Sequence, residues 1–179
     1  MSTVSTDHQH TEARTGTRWQ LDAAAQSTVE FRVRHFWGLI TVTGRFDRFD
    51  GSLALAADGT RQIELTIDAD SLDTGHSRRD AHLRSADFFD VAGQPKVRFT
   101  STRVVDQGDG RLLRVAGDLE AAGKRIPMAF DVLVRELDDG LELETTTTAD
   151  HRALGMTWSP LGMLRAPSTL YVKARLRRA

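Results

Sequence analysis

Side chains able to do chemistry are densest between Ser71 and Asp90, in SLDTGHSRRDAHLRSADFFD. His76 and Asp80 stand four apart, so on a helix they share one face, as metal ligands on helices often do. His82 lies two positions further and faces elsewhere, so a metal would need a ligand from another element, for which His35 is the obvious donor. The other use of Asp80 and His82 is to hydrogen-bond the segment to the rest of the fold or to meet a polar headgroup, and this is the expected one. Arg78, Arg79 and Arg84 carry guanidinium groups, whose planar fork suits a phosphate. Against that stands an ion pair or backbone bond in which Arg79 and Asp80 fix the segment in place. No metal or cofactor is expected.

Motifs of catalysis are missing. The chain has no cysteine, which removes thiol nucleophiles, disulfides and thiolate metal sites together. It has no Gly-x-Ser-x-Gly elbow, no His-Glu-x-x-His and no glycine-rich phosphate loop before a helix. The carboxylate pair Asp138-Asp139 falls in a turn, where solvation accounts for it. No catalytic residue is assigned and the protein is read as a non-enzyme.

The segment carrying these residues must be held by something, and its own pattern predicts one short helix over His76–Ser85. Asp73 or Thr74 is the expected N-cap oxygen. Leu83, Phe88 and Phe89 give it an apolar side. Elsewhere the chain alternates with period two. Val29, Phe31 and Val33 share a face opposite Glu30, Arg32 and Arg34, and Ile40, Val42, Gly44 and Phe46 do the same one turn later. Phe49-Asp50-Gly51 reads as a lead-in to a strand at Ser52–Ala56, and Ile63 to Ala69 alternate next. Further alternation covers Val97–Val105, Leu113–Leu119, Ile126–Val134, Leu141 to about Asp150, and Leu170–Leu176. Asp58-Gly59, Asp109-Gly110 and Asp138-Asp139-Gly140 are hairpin turns. Some eight to ten antiparallel strands with one helix define an all-β barrel or sandwich.

With 179 residues and a net charge of −1, the chain is one domain without the basic excess of a nucleic-acid surface. No apolar run reaches the ~18 residues of a membrane span, so no stable membrane insertion is expected. Residues 1–18 read as a disordered polar tail and 19–179 as the folded domain. The tail lacks a signal peptide's basic start and apolar stretch, which sets the expectation of a cytoplasmic protein.

Taken in order, WQLD, STVEFRVRH, GRFDRFDGSL, SLDTGHSRRDAHLRSADFFD, PKVRFTST and GDLEAAGKRIPMAFDV resemble the YceI-like family of polyisoprenoid-binding, lipocalin-like proteins, from Trp19 to Leu176. HRALG, with Arg152 and Gly155, resembles that family's late arginine-to-glycine element, with Leu154 where an aromatic is common. The resemblance implies an antiparallel lipocalin-like β-barrel of about eight strands, with the helix capping or lining one end of a long apolar cavity. It implies a polyprenyl phosphate or isoprenoid quinone as ligand, held by a carrier, storage or sequestering protein.

A barrel of that size is either packed solid or holds one slender ligand. Large inward residues alternate here with small ones (Gly44, Ala69, Gly117, Ala174) that would leave a lumen. With the resemblance, a cavity is expected, its ligand-binding residues being Phe31, Val33, His35, Val42, Phe46, Leu83, Phe88, Phe89, Phe99, Phe130, Trp158, Leu161 and Met163. Arg79, Asp80 and His82 are the candidates for a headgroup or for fixing the helix. Trp158, Leu161, Met163 and Leu164 could equally cap a barrel end. A homodimer through barrel edges or the outer sheet face is a further expectation.

Overall fold

Period-two alternation is realised as antiparallel strands along most of the chain, because a pleat with one apolar face can be buried only by curling that face inward. The computed structural model describes residues 16–35, 40–157 and 167–179. Its elements are β1 (Thr17–Leu21), β2 (Thr28–His35), β3 (Ile40–Phe46), β4 (Phe49–Leu55), β5 (Arg61–Asp68), β6 (Leu72–Asp73), helix α1 (Ser77–Arg84), β7 (Lys96–Asp106), β8 (Leu112–Ala121), β9 (Lys124–Leu137), β10 (Gly140–Ala149) and β11 (Ser168–Arg178).

These strands make a closed eight-stranded barrel in which three staves are bent. Both β1 and β2 pair with β11, at Leu21↔Leu176 and Thr28↔Lys173, so they are successive lengths of one stave. The next stave is β3 followed by β4, broken only at Asp47-Arg48. The third is β5 with β6: β5 pairs with β4 and β6 with β3. At this bend Ser71 ties the two staves together, its Oγ accepting from the Arg48 N–H at 3.0 Å and donating to the Asp68 carbonyl at 2.7 Å. Strands β7 to β11 then follow as neighbouring hairpins.

One pairing is incomplete. The β9–β10 ladder runs from Leu137↔Gly140 only to Leu133↔Glu144. Beyond it, residues 124–132 of β9 continue on β8, and 145–149 of β10 continue on β11. Pro127 is tolerated here because a strand edge does not need its missing N–H. Thr145 bridges the start of this gap, its Oγ1 donating to the Asp131 carbonyl at 2.7 Å. Below it, the buried carboxylate of Glu142 holds the outer face of the three strands together, 2.7 Å from Arg135, 3.4 Å from Lys173 and 3.8 Å from Arg175.

The structure corrects several expectations. Phe49-Asp50-Gly51 is strand rather than lead-in, paired with Leu65–Ile67. Ala69 lies in a 3-10 turn, fully buried, not on a strand face. Gly44 and Gly117 do not open a lumen: a Cβ on Gly44 would stand 2.3 Å from the tip of the Phe31 ring, and one on Gly117 2.7 Å from the tip of Phe99. Each glycine seats a phenylalanine on the wall. The segment 1–15 lies outside the described residues.

Acid should loosen this sheet. Asp68 is held below the ordinary carboxylate value of 3.8 by its bond from Lys96, aided by Arg48. Asp106 is held low by the N–H groups of Gly108 and Gly110, each at 2.9 Å, and by Arg61. A depressed folded pKa contributes stability above the unfolded value and loses it as pH falls through the folded one. These two carboxylates are therefore expected to make Tm fall below about pH 4, with a shallower fall in Asp106→Asn, as thermal melts across pH would show.

Candidate functional site

At the end away from α1, Leu53, Leu113 and Val115 are buried and do not line the cavity, whereas Leu21, Ile63 and Leu176 do. From there to the α1 end the interior holds a cavity of about 290 Å³, lined along the inner face of β11 from Ser168 to Leu176 and walled almost wholly by apolar surface. Of the residues expected on its wall, Phe31, Val33, Val42, Phe46, Leu83, Phe88, Phe89, Phe99 and Phe130 are all there. Two aromatic groups organise them. Phe46 packs 5.7 Å from Phe31 and edge-on, also at 5.7 Å, against Phe89, while Phe99 meets Phe130 at 5.1 Å. The side chain of His35, and Trp158, Leu161, Met163 and Leu164, lie outside the described residues.

The helix is placed by polar bonds to the backbone. Its N-cap is His76, not Asp73 or Thr74; the His76 ring accepts from the Arg79 N–H at 3.4 Å. Thr74 instead donates to buried Asp80 from both its N–H, at 3.0 Å, and its hydroxyl, at 2.5 Å. Arg79 closes the same knot, donating from Nε to Thr74 Oγ1 at 2.7 Å and from Nη2 to the Thr74 carbonyl at 2.9 Å. Arg84 reaches the carbonyls of Asp70, at 3.0 Å, and Leu72. An eight-residue helix is too short to persist alone, so these bonds and the turn after it fix where Leu83, Phe88 and Phe89 point. His82 borders the cavity, with Nε2 3.3 Å from Asp87 and its ring edge-on to Phe88 at 5.2 Å. Among the described residues no group of three metal-ligating side chains converges.

The wall also holds residues that the sequence reading passed over. After β10 the chain turns at Asp150, whose Oδ1 accepts from the Arg152 N–H at 3.0 Å, an interaction that keeps its carboxyl below the ordinary value. Gly155, at φ +80°, lets the turn close, with the Met156 N–H donating to the His151 carbonyl at 3.0 Å. The turn thereby buries His151, Leu154 and Met156 on the cavity side, and Gly155 faces the Lys124 side chain at the start of β9. It stoppers the gap between β9 and β10. His151 Nδ1 is 3.4 Å from Ser168 Oγ at the start of β11, and both are buried. The two form a hydrogen-bonding pair across the start of β11. A signal was available: Thr145, Thr147, Ala149 and His151 share one face at period two.

An eight-stranded antiparallel barrel with an apolar interior and a helical cap is lipocalin-like in class. The chain belongs to the YceI-like family, whose domain matches residues 19–176. A UPF0312 protein of Vibrio cholerae is 38% identical over 109 residues, 60% of this chain and 57% of its own length. One from Shewanella denitrificans is 40% identical over 110 residues, 59% and 56% of the two chains. This chain thus spans less than three fifths of the length of these curated relatives. Burkholderia cenocepacia BcnA is similar in structure at TM-score 0.73 and 19% identity, over 89% of this chain and 99% of that one. A polyisoprenoid binding domain from Saccharophagus degradans reaches 0.71 at 19% identity, over 90% and 98%. At such identities the likeness is one of fold.

Proposed function

We propose that this protein binds an isoprenoid lipid, a polyprenyl phosphate or an isoprenoid quinone, in its barrel and acts as a carrier, store or sequestering agent rather than an enzyme. The observation that carries this reading is the apolar cavity of about 290 Å³ inside the barrel. The polyisoprenoid binding domain of Saccharophagus degradans, similar in fold, supports the choice of ligand class. Each CH₂ moved from water to such a wall contributes roughly 0.8 kcal/mol, so a prenyl chain needs no polar anchor to bind. No helix among the described residues is long and apolar enough to cross a membrane.

Cavity size sets a testable limit. A cavity of about 150 Å³ accepts a benzene ring, so this one has room for about a dozen carbons, two to three isoprene units. Affinity for linear prenols should rise steeply with chain length to about three units and then flatten, as further units extend beyond the cavity. Native mass spectrometry of the purified protein with its organic extract, followed by titration with prenols of increasing length, tests this. An isoprene-spaced adduct and a plateau support the reading; no binding at any length would end it.

A further inference from the structure

Within this apolar wall, four neighbouring polar side chains lie beside the β9–β10 gap. Thr145 and Thr147 on the inner face of β10 lead to His151 in the following turn and to Ser168 on β11, all bordering the cavity beside the β9–β10 gap. His151 and Ser168 are 7% and 9% exposed. Between them they present an imidazole and a hydroxyl, able to donate to a carbonyl or accept from a hydroxyl. A polar pair retained in so apolar a wall fits a ligand with a polar end.

The chemistry of that end follows from charge. A phosphate drawn into the cavity would need cations on its wall, since burying an uncompensated anion is costly. Arg79 is the one guanidinium among the described wall residues; it keeps its charge, but its Nε and Nη2 donate to Thr74 and tie it to the cap, leaving only its outer N–H groups for an anion. His82 sits against the Asp87 carboxylate. Arg152 and Lys124, on the outer side of the turn, are exposed, so an anion there would stay in water and gain little. A neutral oxygen meets no such obstacle and recovers its lost hydrogen bond from His151 or Ser168.

We infer that the cavity selects an isoprenoid with a neutral, hydrogen-bonding oxygen head, a quinone carbonyl or prenol hydroxyl, over the corresponding phosphate, and that His151 and Ser168 receive that head beside the β9–β10 gap. This rests on the lipid-binding reading above. The test is a titration of the full chain with farnesol, a short-chain ubiquinone, farnesyl phosphate and the hydrocarbon farnesene, repeated on His151→Leu and Ser168→Ala, with thermal melts of all three proteins. Farnesol or the quinone should bind about tenfold or more tighter than farnesyl phosphate, the worth of one good hydrogen bond without a buried charge. Each substitution should remove about tenfold from the alcohol or quinone and leave farnesene within about twofold. The tighter of the two oxygen heads names the ligand's source. Farnesyl phosphate binding as tightly as farnesol, or the substitutions weakening farnesene as much as farnesol, would overturn the assignment. Should none of the four bind, farnesene included, the lipid-binding reading itself falls. Ser168→Ala removes one oxygen and keeps the test informative if His151→Leu fails to fold.

Discussion

Ala174→Phe is expected to abolish prenol binding while the barrel stays folded. Ala174 faces the cavity from β11, opposite Leu143 of β10 and between Val172 and Leu176 on the same face. A ring there enters open volume: a benzene takes a cavity of about 150 Å³, about half of the 290 Å³ present. Overpacking is costly where atoms already fill the site, but here the new ring gains contacts with a wall that lacks them. Tm should therefore hold or rise by a few degrees. The ligand, by contrast, loses room for about six carbons at roughly 0.8 kcal/mol each, ~5 kcal/mol and more than a thousandfold in Kd. Competition titration with a fluorescent prenol, alongside thermal melts, measures both. A loss of less than about tenfold in a folded variant would put the ligand somewhere other than this cavity.

Strand positions were legible because alternation dictates which face is buried, and the same pattern recovered the inner wall from Phe31 to Phe130. What local pattern does not carry is how lengths of strand join across space. Nothing in Leu21–Thr28 announces that β1 and β2 share one edge of β11, because that pairing is made with residues nearly the whole chain away. The glycines mislead for a related reason. Glycine marks a close approach but not what approaches, and at Gly44 and Gly117 it is a phenylalanine ring rather than a ligand. The helix cap shifted from Asp73 or Thr74 to His76 because Thr74 bonds instead to Asp80 in the helix's own first turn, a local choice among several capable oxygens that residue type alone does not decide. His151 was passed over because the threonine run before it reads as plain strand, and its inward direction depends on a turn that Asp150 and Gly155 close.

Among single methyl groups added within the strands, the one at Gly117 is expected to cost most in stability. In an ordinary strand Gly→Ala is favourable by roughly 0.5–1 kcal/mol, since glycine has more freedom to lose. At Gly117 the sign reverses. A Cβ there would stand 2.4 Å from the Thr100 carbonyl oxygen and 2.8 Å from the Ser101 Cα, both backbone atoms of the adjoining strand. Neither can rotate away, so relief requires β7 and β8 to part where the Ser101/Arg103 register shift already interrupts their ladder. Phe99, its ring tip 2.7 Å from the new carbon, would be lifted off the wall as well. Gly44 is the opposite case: the nearest atoms are the Phe31 ring tip and the Thr74 methyl, side-chain groups with the cavity beside them. Gly140 is closer still to a carbonyl, at 2.0 Å from that of Leu176, but it begins β10 at a hairpin that can splay. Gly117→Ala should therefore lose about 3 kcal/mol, read in urea as a lower midpoint with the slope unchanged. A midpoint at or above that of the parent would mean the β7–β8 ladder has slack at its bulge, and that glycine is there for the ring of Phe99 rather than for the backbone.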